Sequence, residues 1–293
     1  MKKILATALA LLLLSSLFAC GSEGSSAVTT LPPVETVGLP EEDVTQSINT
    51  GEFTVNIFSS YAEIVEYVGE GKTEVTVPAS ILGVPVKTIG EYAFYDNKTV
   101  TKVTLPSSLI MIDRFAFEEC KVLTEVVAEE GLEVVGQSAF RGCIALSTFV
   151  IPSTVVTIGK NCFYRTALTE VVIPDGVSII SSYAFYGCEA LTSVTFGKRV
   201  SLIDEKAFHN CKSLKLTSLP VNVTRLGDYA FMNCTSITDI FLPKTTAVGE
   251  NAFYGCPELV IHTPKGAKAV TASKSYGYKY VICASVEEMN GGK

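Results

Sequence analysis

The dipeptide Ala-Phe, or a close variant of it, returns along most of this 293-residue chain at an almost fixed interval, and that period limits the fold more than any other feature. The phenylalanines are Phe94, Phe117, Phe140, Phe163, Phe185, Phe208, Phe231 and Phe253, separated by 23, 23, 23, 22, 23, 23 and 22 residues. Five residues before each stands an aliphatic side chain, in the column Ile89, Ile112, Val135, Ile158, Ile180, Ile203, Leu226 and Val248. A Gly or Asp usually stands four before, and a Cys often three after. About six residues past each Phe comes a leucine-like position and an alternating stretch, as in Leu146-Ser147-Thr148-Phe149-Val150-Ile151-Pro152.

Apolar and β-branched residues alternating with polar ones, stopped by proline, describe a short strand with one buried face. The Ala-Phe segment is too short for an independent helix, so one turn of helix or 3₁₀ structure is expected, with Phe inserted between coils. A unit of this size cannot cover its own apolar face; successive units must stack into one continuous core. The expected class is α/β: a solenoid with one short strand plus a short helix or 3₁₀ turn per coil, mostly β by content. Eight coils at a strand spacing of about 4.8 Å make a rod of roughly 38 Å. Both ends need closing. Residues 51–88, with Phe53-Thr54-Val55-Asn56-Ile57 and Val75-Thr76-Val77-Pro78, serve as the first cap. Residues 89–264 hold eight repeats, and 265–293 form the second cap and tail, with a helix over Ala267 to Tyr276 followed by Tyr280-Val281-Ile282.

The segments Ile89-Gly90-Glu91-Tyr92-Ala93-Phe94 and Ile180-Ser181-Ser182-Tyr183-Ala184-Phe185-Tyr186-Gly187-Cys188 resemble BspA-type leucine-rich repeats, and the resemblance covers about residues 51–285. It implies a leucine-rich repeat solenoid. It also implies a bacterial surface protein of a kind implicated in adhesion to host extracellular matrix and to other cells. It does not imply a particular ligand.

The start of the chain reads as a targeting segment. Lys2 and Lys3 precede an apolar run from Ile4 to Leu14 and a polar break at Ser15 and Ser16. Even counted to Leu17 the run is roughly 14 residues, short of the ~20 that a membrane-spanning helix needs. Leu17-Phe18-Ala19-Cys20 resembles the lipobox of bacterial lipoproteins, which implies signal removal over residues 1–19 and lipidation of Cys20. Residues 20–50 then form a lipidated Cys and a flexible linker rich in Ser, Thr, Pro, Glu and Gly. The expected location is the cell envelope: exported, lipid-anchored to the membrane and surface-exposed. Loss of residues 1–19 removes two lysines and no acid, changing the formal charge from −7 to −9. Nucleic acid is therefore not an expected partner.

Nothing in the sequence asks for catalysis, a metal or a cofactor. Cys120, Cys143, Cys188, Cys211, Cys234 and Cys256 share one repeat position, with Asn97 and Thr166 in the other two repeats. Their Cβ vectors run parallel, so buried free thiols are expected rather than disulfides or zinc ligands. Cys162 and Cys283 read as core residues. The two histidines, His209 and His262, lack partners at motif spacing, and His209 shares a surface-turn slot with Tyr95, Tyr164, Tyr186 and Tyr254. Phosphate loops, HExxH and GxSxG are absent.

Binding is then expected on the outward strand columns. One holds Lys102, Glu125, Thr148, Glu170, Ser193 and Asp239, and the other Thr104, Val127, Val150, Val172, Thr195 and Phe241. Leu216 and Ser218 would complete them, but residues 214–219 fit the alternation poorly. Three roles fit: a protein-binding adhesion scaffold, with host matrix or another bacterial surface as partner; a glycan or cell-wall binder, using tyrosines of the opposite, convex side; or a ligand-free spacer.

Overall fold

The computed structural model describes residues 39–290; the leader, Cys20 and the linker as far as residue 38 lie outside the described residues. Each repeat closes one coil of a solenoid, and the coils are joined on three sides. On the first, strands Glu74–Thr76, Lys102–Leu105, Glu125–Ala128 and Thr148–Phe149 pair in parallel, with Lys102 opposite Glu125 and Glu125 opposite Thr148. Glu170–Val172 with Ser193–Thr195, and then Asp239–Phe241, Val260–Thr263 and Lys279–Ile282, continue this side as separate sheets. The alternation dictates the pattern, since the middle residue of each strand points inward and its two neighbours point outward.

The second side is a second strand ladder, where one strand per coil was expected. The aliphatic residue five before each Phe and the residue before it pair from coil to coil, starting at the six-residue strand Val84–Ile89 and continuing as the two-residue strands Met111–Ile112, Val134–Val135 and Thr157–Ile158. A further set runs from Ile179–Ile180 to Ala247–Val248. A two-residue strand is too short to show alternation, so the column reads in sequence only as a core contact.

The third side carries the Ala-Phe segment, which is a run of turns in place of a continuous helix or 3₁₀ turn. In the first repeat Ala93 N donates to Gly90 O (3.2 Å), Tyr95 N to Tyr92 O (2.9 Å) and Asn97 N to Phe94 O (3.1 Å), all of 3₁₀ type. The amides between them cross to the next coil, Phe94 N to Ala116 O (2.7 Å) and Asp96 N to Glu118 O (2.8 Å). Two left-handed residues produce this alternation, Tyr92 (φ 61°) and Asp96 (φ 54°). Every repeat has a positive φ two before and two after its Phe, through to Asn251 and Gly255. A continuous 3₁₀ run would spend each N–H inside its own coil. The left-handed kinks instead turn alternate amides toward the neighbour, so the backbone is satisfied between coils.

The core is a spine of phenylalanine rings. From Phe94 to Phe253 successive centroids lie 4.7 to 5.6 Å apart at interplanar angles of 3° to 20°. All eight rings are buried. Tyr67 stacks on Phe94 at 5.1 Å, and Tyr278 meets Phe253 edge-on at 6.0 Å while its hydroxyl accepts from Phe253 N.

The caps hold those two tyrosines. At the first end Gln46–Asn49, Phe53–Ile57 and Ala62–Tyr67 form an antiparallel sheet that joins Val84–Ile89 in parallel. The expected linker boundary at residue 50 therefore moves back, because Gln46–Asn49 pairs its backbone with Asn56 and its neighbours, and Glu42 accepts from Ser59 and Ser60. At the other end the helix Lys268–Tyr276 stops at Gly277 (φ 74°), and Lys279–Ile282 adds the last strand. Among the described residues no helix is long and apolar enough to cross a membrane.

Candidate functional site

The expected strand columns are largely where the sequence puts them. Val150 is 77% exposed, Val172 61% and Val127 37%, while Thr148, Glu170, Ser193, Thr195 and Asp239 are exposed and Lys102, Thr104 and Glu125 half-buried. Lys102 and Glu125 form an ion pair across adjacent coils at 3.1 Å. Phe241 departs from expectation: it is only 9% exposed. The neighbouring coil forms only an isolated bridge there, Ser218 to Phe241, and Leu216 is turned inward. The tail returns to this region as well. Met289 and Asn290 line a cleft of about 630 Å³ with Lys215, Leu216, Thr217 and Asp239.

The ladder on the strand side breaks twice, and each break has an aromatic residue in an aliphatic slot. Phe149 occupies the inward position held elsewhere by Val103, Val126, Val171, Val194 and Ile240. Its ring enters the core between Phe140 (5.2 Å) and Phe163 (5.8 Å), where the spine takes its widest step of 5.6 Å. The next coil also loses a residue between Phe163 and Leu168. Among the described residues no ladder joins Thr148–Phe149 to Glu170–Val172, or Thr157–Ile158 to Ile179–Ile180. The turn side stays continuous across this seam, with Phe140 N donating to Cys162 O and Gly142 N to Tyr164 O, both 2.9 Å. Val150 and Val172 flank the opening. The second break precedes residues 214–219, and there Phe196 sits two residues beyond Val194 with its ring edge-on to Phe208 at 6.0 Å.

A second partner relation was not legible from motif spacing. His262 Nε2 lies 2.9 Å from Asp239 Oδ1, 23 residues and one coil away. The signal is the repeat period itself, since register pairs His262 with Phe241 and places Asp239 on the adjoining strand. His209 is half-buried against Tyr186 at 4.6 Å, and burial, aided by the Lys206 charge, lowers its pKa.

The turn side carries aromatic and cationic groups in two rows. Tyr164 and Tyr186 stack at 4.8 Å and 3°, Arg141 lies 5.4 Å over Tyr164, and Lys206 sits 5.2 Å from both Tyr183 and Tyr229. Lys206 Nζ also donates to Glu205 and Tyr183, which raises its pKa. These rings spend their faces on one another and on cations, leaving little open π surface for a sugar. Tyr95 and Tyr254 are the more open ones.

The thiols have a structural job. Cys120, Cys143, Cys188, Cys211 and Cys234 are buried, and each Sγ donates to the Phe carbonyl of the preceding coil at 2.9 to 3.1 Å; Cys256, half-buried, does so at 3.3 Å. Burial pushes Cys188 and Cys256 up to about 11 and also raises Cys143, Cys211 and Cys234 well above the ordinary thiol range. They are poor nucleophiles at neutral pH, since the thiolate is the reactive form.

The sequence profile of the BspA type leucine rich repeat region matches residues 69–177 and 156–280, in six copies. A leucine-rich repeat protein of Treponema pallidum, TpLRR, has a similar crystal structure, with TM-score 0.58 and 28% identity over 82% of this chain and 100% of its own. A leucine-rich cell surface protein of Faecalibacterium prausnitzii aligns with TM-score 0.59 and 18% identity over 85% of this chain and 97% of its own, a likeness of fold. Among curated proteins none matches.

Proposed function

Because this chain belongs to the BspA-type leucine-rich repeat family, we propose that it is a surface-exposed scaffold, lipid-anchored through Cys20, that binds a protein partner on its strand side. The observation that carries this reading is the pair Val150 and Val172, far more exposed at the seam than Val127 in the same outward column. Two β-branched side chains open to water beside a break in the ladder, with Glu125 and Glu170 in the adjoining column, offer apolar contact within an acidic rim. The partner contributes an apolar anchor with basic residues around it. Its proposed source is host extracellular matrix or another bacterial surface. No catalytic role is assigned to the chain, whose family and structural likenesses are repeat scaffolds.

The test is capture of purified matrix proteins and of bacterial surface extract by residues 34–293, wild type against Val150→Arg and Val172→Arg. Binding that both substitutions abolish, and that Tyr254→Ala leaves intact, is the expected result. Capture unaffected by either arginine, or lost only with Tyr254→Ala, overturns the strand-side assignment. Cys20→Ser in the full chain tests the anchor: the protein should move from the membrane to the soluble fraction.

A further inference from the structure

The two ends of the solenoid carry opposite charge, and each ends in a strand with one open edge. Residues 264–290 contain four lysines and two glutamates, Glu287 and Glu288, both in the tail after the last strand; residues 39–76 contain eight acids and one lysine. That lysine, Lys72, is already paired with Glu52 at 2.9 Å. At the basic end Lys279–Ile282 pairs with Val260–Thr263 and is the last strand of its sheet. Its Val281 and Ile282 are 47% and 46% exposed. At the acidic end Gln46–Asn49 pairs only with Phe53–Ile57, and its Gln46, Ser47 and Asn49 are exposed.

We infer that the basic end of one copy docks on the acidic end of a second copy, Lys279–Ile282 pairing edge to edge with Gln46–Asn49, so that the chains associate head to tail. Three observations favour a second copy over another occupant. An open strand edge presents a row of unpaired N–H and C=O groups, and a flat apolar one is a template for another strand. Lysine on such an edge ordinarily repels a like copy; here it selects the complementary end of the same molecule, because like ends repel and unlike ends attract. The helix Lys268–Tyr276 packs on Ala247–Val248 and also meets Val260–Thr263 and Lys279–Ile282, and the tail turns toward the cleft at Lys215 and Asp239, but among the described residues no strand pairs with the outer edge of Lys279–Ile282. The contact joins different surfaces, so it is not a two-fold pairing and can extend beyond a dimer.

Sedimentation velocity on residues 34–293, which include the whole of the described fold, tests this. At low salt the weight-average mass should rise with protein concentration, and physiological salt or more should weaken association by about tenfold, since exposed charges beyond the Debye length are screened. Val281→Lys should give a monomer, as should Ser47→Pro, each checked for native circular dichroism. A mixture of the two should give a one-to-one dimer and nothing larger, because each variant retains one intact end. A wild-type chain that stays monomeric at every concentration and low salt overturns the inference, as does association that Val281→Lys leaves unchanged. If Ser47→Pro does not fold, the salt series and Val281→Lys alone decide.

Discussion

Phe185→Ala tests whether the ring spine holds the coils together. Phe185 is fully buried, stacked on Phe163 at 5.3 Å and 14° and on Phe208 at 5.2 Å and 3°. Deleting a buried Phe side chain costs about 3–5 kcal/mol, a range set by how far the site relaxes. Relaxation is restricted here, because Phe185 N donates to Ala207 O and Phe163 N to Ala184 O, both at 2.8 Å, and these bonds hold the coils at fixed spacing. The loss should therefore fall in the upper part of that range, about 4 kcal/mol, including two ring contacts of about 0.5–1.5 kcal/mol each. Urea unfolding of residues 34–293, followed by circular dichroism, measures it. Tyr254→Ala, at an exposed ring 59% open, is the control and should change stability by about 0.5 kcal/mol or less. A loss below about 1.5 kcal/mol for Phe185→Ala would refute the reasoning, because the spine would then be filler between coils held by backbone ladders alone.

Three further outcomes follow from the same geometry. In Gly159→Ala the new Cβ would lie 2.4 Å from Gln137 N and 2.5 Å from Gly136 C, so backbone must move; a loss of about 2 kcal/mol in the urea midpoint is expected. Burial raises the thiols of Cys188 and Cys256 from 9.0 to about 11, so the folded chain keeps protons that the unfolded chain releases. Stability is then constant below the ordinary thiol pKa and falls as pH climbs from there toward the raised values; a urea midpoint that stays level or rises over that interval contradicts it. Phe149→Val should cost about 1–2 kcal/mol of ring burial yet slow hydrogen exchange at Glu170 to Ile173, because the coils can close and form ladder bonds; unchanged exchange would remove Phe149 as the cause of the seam.

Much of the fold was legible because one residue type marks one position. The eight Phe, the aliphatic column and the Cys column each recur at the repeat period, and all three proved to be interior contacts between coils. The closing helix and last strand were also legible, since Ala267 to Tyr276 is followed by Gly277, a residue suited to the left-handed helix end. The turn ladder was not. Its left-handed positions hold Tyr92, Phe115, Tyr183, Lys206 and Tyr229 as well as Gly and Asn, so the residues that announce positive φ mark only some of them. Bonding between coils holds these side chains in a conformation their own propensity disfavours. The pairing of Asp239 with His262 was hidden for a different reason: motif searches compare residues within one segment, whereas a solenoid makes neighbours of residues one period apart.

That distinction locates where this chain can differ from any other stack of similar coils. A solenoid that obeys its period everywhere presents uniform sides, and uniform sides discriminate poorly between partners. Here the turn side is continuous through all eight coils, while the strand side breaks where Phe149 replaces a valine and again after Phe196, before the one coil whose alternation fails. A larger ring in a slot shaped for an aliphatic cannot be absorbed by the turn side, whose amides are committed to the next coil, so the displacement emerges on the strand sides. Val150 and Val172 become prominent there by position and not by composition, since valine also fills the exposed slot at Val127 with far less surface open. The residues to compare among members of this family are therefore the inward aromatics that set the seams, because moving a seam moves the exposed pair with it.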